Sequence, residues 1–130
     1  MKIIINEPPR SKKNSMQIIK LGNRYSLMPS KVYREYEKAC AKYFADWDAE
    51  PIDFPCEVKC TFYVPTRRKV DLCNLLEAAH DILVKYGVLA DDCRDIVCSV
   101  DGSRVYYDKT SPRTEIEIAP YDGEYAVWKA

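Results

Sequence analysis

The sequence has no surplus of charge of either sign: 20 Lys and Arg stand against 20 Asp and Glu in 130 residues. Any nucleic-acid partner must therefore be held by a local basic patch, because the chain as a whole attracts no polyanion. Glycine is scarce, with 4 residues, and proline contributes 8, which excludes low-complexity, collagen-like and linker architectures. No apolar run approaches the roughly 20 residues of a membrane-spanning helix, and Met1 to Pro9 lacks the apolar stretch of an export signal. A cytoplasmic protein with no membrane partner is expected. No C-x-x-C pair occurs among the six cysteines, and a chain of this length buries a core without disulfide staples. Cys40, Cys56, Cys60, Cys73, Cys93 and Cys98 are thus expected as free thiols, not as zinc ligands. The single histidine, His80, reads as a partly exposed helix residue rather than a base.

What is present is an ordinary globular composition, 47% apolar and 31% charged, sized for one domain over residues 1–130. The run Lys2 to Asn6 is β-branched and stops at Pro8-Pro9; Arg10 to Asn14 then makes a basic loop. Gln17 to Lys20 and Arg24 to Leu27 flank Leu21-Gly22-Asn23 as a hairpin. Ser30 is a fitting N-cap for a helix to about Trp47, with Val32, Tyr33, Tyr36, Ala39, Cys40, Tyr43 and Phe44 on one stripe. Cys56 to Val64 alternates as a half-buried strand ended by Pro65. Leu72, Leu75, Leu76, Ala79, Ile82, Leu83 and Tyr86 trace a second helical stripe that begins at Asp71 and closes at Gly87. Strands follow at Ile96 to Val100, at Arg104 to Tyr107, returning across Asp101-Gly102, and at Arg113 to Ile118. The pattern predicts an α+β fold: one domain, a mixed or antiparallel sheet connected mostly by hairpins, and two main helices. Residues 120–130 read as a short tail.

Two acidic clusters bracket the second helix, Asp71 before it and Asp91-Asp92 after it, with Arg67-Arg68-Lys69 just upstream. One reading is a helix cap and a solvated turn. The other is metal-dependent phosphoryl chemistry: hard carboxylate oxygens share a Mg²⁺ with substrate phosphates, while neighbouring Arg and Lys hold a backbone the carboxylates would repel. Spacing alone leaves both open. Arg10, Lys12 and Lys13 are likewise either a solvated loop or a DNA-contacting arm.

The stretch Arg67-Arg68-Lys69-Val70-Asp71-Leu72-Cys73-Asn74-Leu75, continued by Ala78-Ala79-His80-Asp81-Ile82-Leu83 and by Gly87-Val88-Leu89-Ala90-Asp91-Asp92, resembles the RusA family of Holliday junction resolvases. That family's signature is a basic run, D-x-D-N-L, a helix, and a D-D pair after a glycine turn. Pro8-Pro9 with Lys12, Lys13 and Asn14, the Ser30 helix start and the strand Thr114 to Ile118 are also similar, so the likeness covers about residues 2–119. The resemblance implies a RusA-like fold and a homodimeric, Mg²⁺-dependent endodeoxyribonuclease, with Mn²⁺ as a substitute, that cuts four-way junction DNA in recombination and repair. It also implies a phage or prophage setting. Carried over by position, Asp71 and Asp92 become metal ligands and catalytic residues, and Asn74 joins Arg10, Lys12, Lys13, Arg67, Arg68 and Lys69 on the DNA. Cys73 stands at the family's second aspartate and Glu77 at its frequent lysine. A thiol is a poor ligand for a hard cation. Glu77 lies one turn from position 73, roughly 5–6 Å away at Cβ, and either reaches back to supply the missing oxygen, which makes it a catalytic candidate, or faces solvent. The alternative function is a dimer that holds branched DNA without efficient cutting.

Overall fold

The structure, a computed structural model, describes residues 1–12 and 16–123, with no account of the side chains of Met16 and Gln17. Within these residues seven strands and two helices follow in order: β1 (Lys2–Ile5), β2 (Met16–Leu21), β3 (Arg24–Pro29), α1 (Lys31–Cys40), β4 (Cys56–Val64), α2 (Leu72–Lys85), β5 (Val97–Ser99), β6 (Arg104–Tyr107) and β7 (Arg113–Pro120). The expected α+β class and mixed sheet are what the chain forms. Strand β4 alternates because one of its faces meets the helices: Cys56, Val58, Cys60 and Phe62 are buried, while Glu57, Lys59, Thr61 and Tyr63 lie on the open face. It pairs antiparallel with β7 over eight positions, from Cys56↔Pro120 to Tyr63↔Arg113, and β7 pairs in turn with β1. Both helices supply the layer that closes this core. From α2 come Leu75, Leu76, Ala78, Ala79, Ile82 and Leu83; from α1 come Tyr33, Tyr36 and Cys40. Each fully buried Leu or Ile contributes about 1.5–3 kcal/mol.

Three expectations are corrected. Strands β5 and β6 do not form a hairpin with each other; both run parallel to β4, one after the other along the same edge. The turn at Asp101-Gly102 therefore steps the chain sideways without reversing it. It is held by Ser103 N–H on the Val100 carbonyl at 3.1 Å, with Gly102 at φ 85°. Ser103 Oγ accepts the Cys60 N–H at 3.0 Å, so the β4 donor left over between the two short strands is still satisfied. The β4–α2–β5 segment is accordingly a parallel crossover, and β2–β3 is the hairpin that the Gly22 turn predicts, a separate two-stranded sheet. Finally, α1 ends at Cys40, and residues Ala41–Phe44 tighten into a 3₁₀ turn. That turn still delivers Phe44 to the core, stacked on Tyr86 at 5.3 Å between ring centroids, and Val32 at the start of the stripe is exposed. All six cysteines are free thiols, as expected. Among the described residues no helix is long and apolar enough to cross a membrane.

Candidate active site

Helix α2 sets the geometry of the candidate residues. Its N-cap is Asp71, whose Oδ1 accepts the Cys73 N–H at 2.9 Å, so a carboxylate sits on the positive end of the helix with its other oxygen left over. Asp71, Cys73 and Glu77 are exposed and Asn74 is half-buried. At the far end Gly87, at φ 79°, turns the chain back: the N–H groups of Val88 and Leu89 both bond the Leu83 carbonyl, at 2.9 and 3.2 Å. Leu89 then bridges to Ile52, and Ala90 N–H meets the Ile52 carbonyl at 3.0 Å. This pinned return delivers Asp91 and Asp92 to the flank of the last turns of α2. There they line a cleft with Lys12, Glu37, Asp81 and Lys85.

The N-terminal arm runs beside the same helix and connects two clefts of opposite character. Pro9 is buried, and Arg10 lines a cavity of about 440 Å³ with Ser30, Thr66, Arg68, Lys69 and Leu75. None of Arg10, Arg68 and Lys69 has an acidic partner among the described residues, so this cleft carries uncompensated positive charge. Two residues further on, Lys12 reaches the acidic cleft and pairs with Asp81 at 3.4 Å. Arg67 lies outside both clefts, its guanidinium 4.4 Å from the Tyr107 ring centroid. Lys13 and Asn14 lie outside the described residues. Arg10, Arg68 and Lys69 are thus brought together, and Lys12 and Arg67 are not with them.

His80 is half-buried on α2, next in the chain to Asp81 of the acidic cleft, and its Nε2 has no hydrogen-bond partner among the described residues. Burial pushes its pKa below the ordinary imidazole value, against the opposing pull of the negative Asp92 and Asp81. Asp92 shares its cleft with Asp81, Val84 and Lys85 of the last turns of α2, whereas Asp71 caps the first. Residues 71 and 81 are separated by roughly 15 Å along the helix axis. No group of three or more His, Cys, Asp or Glu among the described residues is arranged to hold a metal ion. The donor chemistry nevertheless suits a hard cation, since Mg²⁺ is commonly held by one or two carboxylates with waters and substrate phosphates completing its shell. Sequence reasoning missed Asp81, Ser30 and Thr66 as lining residues, because their positions depend on how the arm and the β4 exit lie against α2.

A two-layer α+β domain in which Arg10, Arg68 and Lys69, without acidic partners among the described residues, lie beside a carboxylate-capped helix start offers a polyanion a place to bind. The chain is a member of the RusA endodeoxyribonuclease family, whose sequence model matches residues 7–119, and so of the nucleases that resolve Holliday junctions. A comparison with curated proteins gives no significant match.

Proposed function

We propose that the protein is a divalent-metal-dependent endonuclease that recognises four-way junction DNA as a homodimer and hydrolyses one phosphodiester in each of two symmetry-related strands. The observation that carries this reading is the cleft of Arg10, Arg68 and Lys69 beside the Asp71-capped start of α2, in a chain of this family. The cations hold the DNA backbone against carboxylates that would otherwise repel it, and the amide of Asn74 is close enough in sequence to the cap to contact the strand. Asp71 and Asp92 are the residues that would hold Mg²⁺. When bound, the metal supplies an activated water and charge neutralisation at the leaving oxygen. The six free thiols fit a reducing, intracellular setting.

Asp71 and Asp92 sit against opposite ends of α2, which favours a site completed between subunits, Asp71 of one chain with Asp92 of its partner. A two-fold axis then provides two equivalent sites for two nicks. The test is incubation with a synthetic four-way junction, with and without Mg²⁺ or Mn²⁺: paired nicks near the crossover are expected, and a chain that neither binds nor cuts the junction would refute the reading.

A second reading, a dimer that binds junctions and cuts them poorly, is favoured by one observation. Cys73 presents an exposed thiol, not a carboxylate, one turn before Glu77. Under it, Cys73→Asp raises Mg²⁺-dependent cleavage by restoring an oxygen donor. Unchanged cleavage means that Glu77 or another carboxylate already fills that place.

A further inference from the structure

The open face of the sheet carries a row of flat groups that the nuclease site does not use. The register aligns Arg113 of β7, Tyr63 of β4 and Tyr106 of β6 side by side. The Arg113 guanidinium lies 3.7 Å from the Tyr63 ring centroid, and Tyr63 stacks on Tyr106 with centroids 5.7 Å apart and planes 29° apart. Arg113 is fixed from behind by Glu115 at 2.7 Å and Asp108 at 3.1 Å, so the inner end of the row is rigid. The outer end is open, because among the described residues β6 pairs with β4 alone and Tyr106 is 48% exposed. A structural role alone does not require an aromatic ring at this edge, since Tyr106 stands on the open face, away from the core.

Charge decides what kind of group belongs there. Behind the row, Lys2 is paired with Glu115 at 3.2 Å and Lys59 with Glu117 at 3.4 Å. Arg104, next to Tyr106 on the same face, has no acidic partner among the described residues. The edge therefore combines an exposed ring face with a cation that no described carboxylate neutralises. A protein partner with an apolar surface would have to desolvate this arginine, whereas a nucleic-acid strand offers it a phosphate. Strand β4 also leads directly from Tyr63 through Val64 and Pro65 into Thr66, Arg68 and Lys69 of the cationic cleft, at most about 10 Å of extended chain from Tyr63 to Thr66.

We propose that the row Arg113, Tyr63, Tyr106 is a base-stacking platform: an unpaired nucleobase of the branched DNA packs on the outer face of Tyr106, and Arg104 holds the adjoining phosphate. This rests on the nuclease reading above and adds to it a means of distinguishing a branch point from continuous duplex. A ring face accepts any base, so the platform selects for unstacked structure without selecting for sequence.

The experiment measures the affinity of the full chain for three DNAs by fluorescence anisotropy in Ca²⁺, to prevent cutting: a four-way junction, an oligo(dT) strand and a paired duplex. Tyr106→Ala is expected to weaken the junction and the oligo(dT) strand by about 5- to 150-fold, the range of one base-aromatic stack. Duplex binding stays unchanged, and Tyr106→Phe behaves as wild type on all three. An unchanged affinity of Tyr106→Ala for the junction overturns the platform while leaving the nuclease reading intact, as does an equal loss on the duplex. A wild-type chain that binds none of the three DNAs overturns both.

Discussion

Asp71 holds two roles that can be separated by chemistry. As N-cap it accepts the Cys73 N–H at 2.9 Å, a bond any short oxygen-bearing side chain can make; as metal ligand it needs a negative oxygen. Asp71→Ala is expected to lower stability by about 1 kcal/mol and to abolish cleavage. Asp71→Ser is expected to restore the urea midpoint but not the cleavage. Recovery of both by serine would show that the carboxylate acts only as a cap. The same division separates fold from chemistry at position 73: the Cys73 N–H serves the cap whatever its side chain is, so Cys73→Asp is expected to leave the cap intact.

Among the elements, β4 has the most to bear, since β7, β5 and β6 all pair with it and its inner face carries the core. Two of its inward residues are thiols, and a third, Cys40, joins the same core from α1. Burial pushes the pKa of Cys60 and of Cys40 up to about 12 from an ordinary thiol value near 9. A folded-state pKa above the unfolded one means that the unfolded chain releases its protons first as pH rises. Their contribution is intact below pH 9 and is lost progressively between about 9 and 12. Denaturant midpoints recorded from pH 8 to 10.5 should hold to about pH 9 and fall beyond it, and Cys60→Ala should make that fall shallower. An identical slope in the variant would remove Cys60 from the account.

At the scale of the whole molecule, the two clefts along the arm predict different responses. Replacing Arg10, Arg68 and Lys69 by Ala should weaken binding to every DNA sequence. It should also flatten the salt dependence, by a slope of about 0.9 for each duplex phosphate that is no longer neutralised. Replacing Lys12, already paired with Asp81, should change the slope less. The shared-site arrangement has its own signature. When Asp71→Ala and Asp92→Ala chains are mixed, a dimer of one of each retains one complete site only if the site is formed between subunits. Nicking of junctions by the mixture, with neither variant active alone, is the expected result. Silence of the mixture, with mixed dimers demonstrated by tagged pull-down, would assign both carboxylates to one chain.

Periodicity determined most of the elements, because a period of two or of 3.6 records which side of each segment meets the core. Cys56 to Val64 and Leu72 to Tyr86 were legible for that reason, and Asp71 and Gly87 were legible as their boundaries because cap and αL chemistry is local. The basic run and the D-D pair could be read as a family signature, which the match over residues 7–119 supports. Only the tertiary structure decided how strands lie against one another. Residues 96–100 and 104–107 look like the two arms of a hairpin, yet both lie parallel to β4, since a two-residue turn signal says that the chain bends and not which edge it joins. For the same reason the row of Arg113, Tyr63 and Tyr106 was invisible in the sequence: its outer members are 43 and 50 residues from Tyr63 and become neighbours only through register. The partition of Arg10 and Lys12 between a basic and an acidic cleft was likewise decided in three dimensions, where the arm crosses α2 between Leu75 and Asp81. Local rules act on neighbours in the chain, but a site is made by residues that packing brings together from far apart.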